Sequence, residues 1–348
     1  MNLRHLAKVA DLSPSAVSLA LRDSPKISAA TKKRVRRLAE KMGYQPDARV
    51  VAMMSHLRKP RAERQHATFG VISFYEKAHA WEGSRHLARI YQGMTRRAGE
   101  LGYRLEPLWV REPGMTYARV RGILDARGIE GLLCFGSPEF EQEFPPELGR
   151  CAVVTVGLSI RPPMHRVTSH FYSDTLTVLT RVHRLGYRRP GLILGSYEEA
   201  RSAHAHSAAY LGWCEHTLGP DRALPILRVT AVGKAPLVRW LGQHAPDVIV
   251  FVHLPEAITE LRAALKEQRR RVPSELGVAV LSHVVQGTGF SGLQQNQHLM
   301  GAWAVELLAA RIANRDLGPP ANPRIEMVES EWVDGGSLPA LGRSQQLS

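Results

Sequence analysis

Apolar positions in the first fifth of the chain recur at three- and four-residue spacing and are interrupted twice. Leu3, Leu6, Val9 and Ala10 share one face of a run over 2–12 that Asn2 can cap. Ser13 then precedes Pro14, a favoured first-turn residue, and a run with Ala16, Val17, Ala20 and Leu21 on one face and Ser15, Ser18 and Arg22 on the other. A third helix is predicted after Ile27 and its cap Ser28, with Val35, Leu38, Ala39 and Met42 inside and Gly43 as its stop. Three short helices, the first two joined by a tight turn, make a helix-turn-helix unit over 1–46. Pro46 disfavours helix at the residue before it and so separates the third helix from the segment beyond. Asp47 can cap a short apolar run over 48–57 that would be marginal as an isolated helix, and 58–65 is a polar link.

From Ala67 the pattern changes to strands alternating with helices. Strands are predicted over 68–74, 103–110, 130–135 and 151–156, with helices over 83–101 and 116–127. A second set has strands over 190–194, 224–229, 248–252 and 276–281 and helices over 175–185, 204–218, 235–244 and 257–270. Continuous apolar strands between amphipathic helices indicate doubly wound parallel sheets. Two such sets in one chain predict a two-lobed α/β core with a cleft between the lobes. The stretch 338–348, rich in Gly, Pro, Ser and Gln, is expected to be a disordered tail.

Charge sharpens this picture. Residues 1–66 hold 15 Lys+Arg and 5 Asp+Glu, so +10 of the formal +14 falls in the first fifth of the chain, the footprint that neutralising nucleic-acid phosphates requires. No run approaches the length of a membrane span and the N-terminus lacks a signal peptide's apolar core, so a cytoplasmic protein, nucleoid-associated through DNA, is expected. The three cysteines, Cys134, Cys151 and Cys214, lack metal-ligand spacing and read as reduced, mostly buried thiols.

The order of residues in LAKVADLSPSAVSLALRDSPKISAATKKRVRRLAEKMGYQP resembles the DNA-binding headpiece of the lactose-repressor/galactose-repressor (LacI/GalR) family. Ala7, Ala10, Ser13, Val17, Ser18, Ile27, Ser28, Thr31, Val35, Ala39, Gly43, Tyr44 and Pro46 carry the match. Beyond it, Leu185-Gly186-Tyr187-Arg188-Arg189 is similar to the family's "LGHRR", Arg271-Val272-Pro273 to its "RVP" and Leu293-Gln294-Gln295 to its "VxQ" turn, with 300–308 like the helix after that turn. The resemblance implies a core like the periplasmic sugar-binding proteins, whose chain crosses between lobes three times, here near 162–166, 288–293 and 321–324. The lobes expected on that basis are 67–163 with 292–322, and 164–291 with 323–337. It also implies that 47–66 holds a hinge helix that orders on operator DNA and pairs with its dimer mate in the minor groove. Met53 stands there in place of the family's wedging leucine, and methionine is suited to minor-groove kinking.

Carried over position by position, the operator-reading residues are Pro14, Ser15 and Leu19. Ser13, Ser18 and Arg22 suit phosphate contact, and Arg49 suits phosphate or the minor-groove floor. No bidentate Arg or Gln stands at a reading position, and Leu19 offers only apolar contact, most naturally to a thymine methyl. Shape and bending are expected to carry more of the specificity. In the cleft, four positions where the family holds ligand all depart from its pattern. They are Gly157, His206, the pair His253-Leu254, and Ser282. Without those carboxylates and that guanidinium, the bidentate hydrogen bonding that holds sugar hydroxyls is lost, which argues against an ordinary hexose.

The expected effector set is His206, His253 and Ser282, with Gln295 at a crossing and Trp81 and Arg85 near the first strand, Trp81 offering a ring face. His204 and His206 are two apart and point to different faces of a helix, so no metal or other cofactor is expected. No nucleophile elbow, phosphate-binding glycine loop or HExxH spacing points to an enzyme, and Gly287-Thr288-Gly289 is too short for a phosphate cradle. The expected function is a sequence-specific regulator, a repressor, binding double-stranded operator DNA as a homodimer and a small-molecule effector in its cleft. The alternative is a cytoplasmic small-molecule-binding or sugar-modifying α/β protein with a vestigial headpiece.

Overall fold

A computed structural model of the protein describes residues 3–21, 27–43, 67–139, 141–229, 233–252, 255–281 and 289–341. Arg22, Arg49, Met53, His253 and Ser282, and with them the expected hinge helix, lie outside the described residues. The chain forms two compact units, Met1–Gln65 and His66–Ser348.

The first unit contains α1 (Leu3–Val9), α2 (Pro14–Leu21) and α3 (Ala29–Lys41). Leu6, Ala7, Ala10, Val17, Ala20, Val35 and Ala39 are buried together, with Leu12, Leu21, Ile27, Leu38 and Met42 packed against them. The helical spacing places Leu6, Ala10, Val17, Ala20, Val35 and Ala39 on inner faces; on α1 it also places Val9 there, but Val9 is 48 % exposed and Ala7 is buried instead. The hydroxyl of Ser28 caps α3 by accepting from Thr31 N–H at 3.2 Å. Arg34 donates to the Ala10 carbonyl at 3.2 Å, tying α3 to the turn after α1.

The second unit begins with β1 (Ala67–Ser73), α4 (Arg85–Glu100), β2 (Tyr103–Trp109), α5 (Tyr117–Arg127), β3 (Gly131–Cys134) and β4 (Gln142–Glu143). It continues through β5 (Ala152–Val156), β6 (Ile160–Arg161), β7 (His165–Ser169), α6 (Phe171–Arg184), β8 (Pro190–Gly195), α7 (Ser196–Arg201) and α8 (Ala205–Leu218). Then come β9 (Leu227–Val229), α9 (Lys234–His244), β10 (Val248–Phe251), α10 (Pro255–Glu267), β11 (Gly277–Val280) and β12 (Ser291–Gln294). Last are α11 (Gln297–Asn314), β13 (Ile325–Val328) and β14 (Glu331–Val333).

Two six-stranded sheets result. The first runs β13-β7-β5-β3-β1-β2 and is parallel throughout; the second runs β14-β12-β11-β10-β8-β9, with only β12 and β14 antiparallel. The apolar runs of β3, β5, β10 and β11 are buried at every position, as strands covered on both faces must be. The three cysteines are buried, and burial raises each thiol's pKa.

The chain passes between the sheets at His170, at Gln295-Asn296 and at Glu329-Ser330. Each passage falls later than the positions near 162–166, 288–293 and 321–324 that the sequence suggested. The correction has a physical cause. β7 reads His-Arg-Val-Thr-Ser and gives no apolar signal, yet it is buried at every position and pairs β5 on one side and β13 on the other, so both β7 and β13 belong to the first lobe and β12 to the second. The expected tail of 338–348 is corrected over 338–341, while 342–348 lie outside the described residues. Leu338 is 9 % exposed in the second-lobe core, Tyr187 donates its hydroxyl to the Pro339 carbonyl at 3.2 Å, and Leu341 N–H donates to the Leu185 carbonyl at 2.8 Å.

Side chains tie the three passages together. Asn296 donates to the Glu329 carbonyl at 2.9 Å, Ser173 donates to the Glu329 carboxylate at 3.1 Å, and Ser330 donates to Asp174 at 2.8 Å. Asp174 is only 2 % exposed, and burial pushes its carboxyl up to about 7, with Ser330 opposing and Glu329 adding to the rise.

In the first lobe α4 and α11 touch backbone to backbone. A Cβ on Gly93 would stand 2.1 Å from the His298 carbonyl oxygen, and one on Gly301 would stand 2.1 Å from that of Ile90. Gly301→Ala is therefore expected to cost about 1–3 kcal/mol or more by forcing these helices apart, measured by urea denaturation. A second prediction concerns Asp174. Its folded-state pKa lies above the ordinary value of 3.8, so the folded protein holds the proton more tightly and stability falls as pH rises from about 4 to about 7. Asp174→Asn should remove that loss, so the variant's stability relative to wild type rises between pH 5 and pH 8; an unchanged difference would show that this carboxyl does not titrate there.

Candidate functional site

The first unit presents the amino end of α2. Ser13 caps it by accepting from Ala16 N–H at 3.1 Å, and its hydroxyl shares a 2.9 Å hydrogen bond with that of Ser15. Ser13, Pro14 and Ser15 are exposed, while Ser18 and Leu19, one turn on, are half-buried. The inward residues Val17 and Ala20 are fully buried, and they fix which side of α2 faces outward. Along α3, Lys33, Arg37 and Lys41 are exposed, so a row of cations accompanies the α2 face in the same unit. An exposed helix amino end can enter a major groove, and nearby cations can neutralise phosphate.

The second site is the cleft of the second unit, a cavity of about 490 Å³. It is built where the carboxyl ends of parallel strands meet, as expected for open α/β sheets. Tyr75, Glu76 and Lys77 follow β1; His86 and Leu87 come from α4; Glu198 and Arg201 lie on α7 after β8; Val252 follows β10 and Gln295 follows β12. A small recess of about 20 Å³ extends inward, lined by Ser137, Gly157, Ser159, Thr168, Ser169 and Met300 among others. Tyr75, His86, Leu87, Phe171, Arg201 and Gln295 line both the cavity and the recess.

Of the effector residues expected from sequence, His206 and Gln295 meet in this cavity. Trp81 does not line it. The indole lies in the first-lobe core, stacked on Tyr91 at 4.2 Å and on Phe135 at 5.5 Å, where its large apolar area is better buried between rings than left at a cleft wall. Arg85 is exposed at the start of α4, and its neighbours Ser84 and His86 line the cavity instead. Tyr75, Phe171 and Arg201 were not singled out from sequence. Their signal was positional, since each follows the end of a strand, but without the sheet order nothing distinguished those loops from others.

The His206 side chain is 2 % exposed, and burial drives its pKa down to about 4, so the ring is neutral near pH 7. The hydroxyl of Thr175 donates to the Phe171 carbonyl at 2.9 Å and stands 2.8 Å from Nδ1 of His206, so Nδ1 carries the proton and Nε2 is an acceptor. Burial raises the Tyr75 hydroxyl's pKa, while the positive charge of Arg201 pulls it back. Across the cleft, Tyr197 on α7 donates its hydroxyl to the Ser137 carbonyl of the first lobe at 3.3 Å. Glu199, 4 % exposed, fixes the start of α8 by accepting from Ser207 and lying 3.3 Å from His204. Among the described residues no group of three or more His, Cys, Asp or Glu is placed to hold a metal ion. No described helix is long and apolar enough to cross a membrane.

Comparison with known proteins gives both units a counterpart. Residues 2–47 match the model of bacterial regulatory proteins of the lacI family, and residues 179–338 match that of the periplasmic binding protein-like domain. Among curated proteins, none matches the chain. The fold is similar to that of the lac repressor dimer bound to operator and the anti-inducer ONPF, with a TM-score of 0.59 at 15% identity over 98% of this chain and 99% of that one. It is similar to the transcriptional regulator CelR in its cellobiose complex, with a TM-score of 0.58 at 18% identity over 97% and 99% of the two chains. A regulatory protein of the LacI family from Chloroflexus aggregans gives a TM-score of 0.61 at 15% identity over 78% of this chain and 99% of that one. The chain thus joins a headpiece that matches the lacI family of bacterial regulatory proteins to a two-lobed core that matches the periplasmic binding protein-like domain, in the fold also seen in the lac repressor.

Proposed function

We propose that the protein is a repressor that binds a pseudo-palindromic operator as a homodimer and changes its DNA affinity when a small molecule occupies the cleft. The observation that carries this reading is the exposed amino end of α2 on a capped, close-packed three-helix unit, within a segment that holds +10 of the chain's +14. A dimer would set two copies of α2 on half-sites about 34 Å apart, one turn of the double helix. The lac repressor, similar in fold, is described as a dimer bound to operator, which supports the same assembly here.

On this reading Pro14, Ser15 and Leu19 meet base edges, and Ser13, Ser18 and Arg22 meet phosphates. Met53 acts at the minor groove and Arg49 at phosphate or the minor-groove floor from a hinge within 47–66, and the effector is held between the lobes. The chain works in the cytoplasm on chromosomal DNA and is a regulator rather than an enzyme.

The test is a footprint of the purified protein across a bacterial genome at stated salt, which should return a short near-palindrome; uniform coverage would leave only a nonspecific DNA binder. On the operator so found, Arg22→Ala should weaken all sequences alike and lower the salt slope by roughly one unit. Leu19→Ala should instead change base preference at one position in each half-site, read by a selection from randomised operators. Failure of both changes to appear would remove α2 as the reading element.

A further inference from the structure

The cleft holds a cation that the fold itself does not use. Arg201 is half-buried on α7 and lines both the cavity and its recess, and among the described residues no carboxylate stands within ion-pair distance of it. The other lining charges do not cancel it. Glu76 is held by Arg111 at 2.6 Å, and Arg111 also pairs with Glu139, while Glu198, half-buried three residues before Arg201 and also in the lining, forms no ion pair with it. Lys77 adds a second positive charge to the lining, and His206 is neutral.

A second, independent group points the same way. Thr168 is 1 % exposed, lines the recess, and its hydroxyl has no hydrogen-bond partner. The neighbouring hydroxyls are engaged: that of Ser137 accepts from Glu139 N–H at 3.1 Å, that of Ser159 accepts from Ser137 N–H at 2.8 Å, and that of Ser169 donates to the Met300 sulfur at 3.6 Å. A buried polar group left unpaired costs free energy that a ligand acceptor can recover.

Shape and wall chemistry set the rest. The recess of about 20 Å³ has room for an atom or two, and the adjoining chamber of about 490 Å³ suits a ring-sized body. Phe171, Leu87, Ala80 and Val252 give that chamber apolar walls. Beside the acceptors on Glu198 and Gln295, this lining offers a guanidinium, a spare hydroxyl and apolar surface, a set that suits an anionic group on an apolar body. A planar carboxylate matches the fork of a guanidinium.

We propose that the effector is a small organic acid whose carboxylate pairs with Arg201 and accepts from the Thr168 hydroxyl at the mouth of the recess, with an apolar or aromatic body against Phe171 and Leu87. This inference rests on the reading of the cleft as the effector site. It also says how occupancy acts on the core. α7 carries both Arg201 and Tyr197, and Tyr197 already reaches the first lobe at the Ser137 carbonyl. A carboxylate held between Arg201 of one lobe and Thr168 of the other adds a contact that exists only when the lobes are together, so it shifts the core toward the closed arrangement.

The experiment uses the full chain, thermal shift and calorimetry. The probes are sodium benzoate and sodium phenylacetate, with benzamide, phenylacetamide, glucose and glucose 6-phosphate for comparison. The acids should raise the melting temperature and bind, and their amides should not. Arg201→Gln should weaken acid binding at least about tenfold, Arg201→Lys should recover part of it, and Thr168→Val should weaken it several-fold. Binding of the sugar or the sugar phosphate in preference to the acids, acid binding that survives Arg201→Gln, or no response to either acid would each overturn the proposal. Operator binding by the ligand-free wild-type protein is measured separately by gel shift. Selective DNA binding without acid binding rejects the ligand class alone, whereas absence of selective DNA binding rejects the regulator reading whatever the cleft binds.

Discussion

The return of the chain to its first lobe depends on three glycines. After its second passage between sheets the chain enters α11, which has to lie on both α4 and the first sheet. It does so because Gly93 and Gly301 let the two helix backbones touch, and because Gly131 on β3 leaves room for Ile312, whose Cδ1 would stand 2.5 Å from a Cβ there. Any side chain at these positions would push α11 outward, and interiors packed like crystals do not absorb such shifts. Gln295 stands two residues before α11, so the seating of the helix also sets where this glutamine enters the cleft. The first lobe is therefore fixed at its centre. Freedom between the lobes is left to the three passages, which Asn296, Ser173 and Ser330 bind to one another.

Strand direction decides what faces the cleft. In both sheets the strands are parallel apart from β14, so all their carboxyl ends open on the same side and their loops converge. The apolar strand interiors are consumed by the cores, which leaves the loop residues Tyr75, Lys77, Gln295 and the short helix α7 to supply chemistry. The same arrangement makes α7 the most informative element of the second lobe. Its six residues hold a buried carboxylate, Glu199, turned toward α8, a hydroxyl on the opposite lobe from Tyr197, and the guanidinium of Arg201 in the cavity.

How much of this the sequence displayed depended on how strongly each feature was written in apolar spacing. Most of the headpiece was legible, because its buried set from Leu6 to Ala39 largely follows the helical stripe; on α1, Ala7 takes the inner place expected of Val9. Central strands such as β5 and β10 were legible as short apolar runs. β7 was not, because a buried strand made of His, Arg, Val, Thr and Ser stays folded through partners rather than through apolar content: His165 lies 3.0 Å from Asp316, and the Arg166 side chain donates to the Met164 carbonyl. Missing it displaced the expected passages. Trp81 misled for the opposite reason, since an indole near a strand end suits a ring-stacking wall and a core equally, and only the positions of Tyr91 and Phe135 decide between them. Arg201 gave no sign because the sequence cannot show that a charge lacks a partner.

The proposed reading face of the headpiece is short of hydrogen-bond donors. Ser13 and Ser15 are bonded to each other and Ser13 also serves as the cap, so one of their two hydroxyl protons is already used within the helix end. Pro14 has no donor, and Leu19 is half-buried and apolar. The amino end of α2 thus offers about one spare hydroxyl proton where a bidentate reader would offer two aligned donors, and each good bidentate pair is worth about 1–3 kcal/mol of discrimination. If α2 reads the operator as proposed, a reader so poor in hydrogen bonds would gain selectivity from the energy of deforming the DNA, and that requires cations placed to hold a bent backbone. The first 66 residues, with 15 Lys+Arg against 5 Asp+Glu, supply that charge. On the proposed reading, the basic excess of the N-terminal segment would contribute to operator choice as well as to affinity.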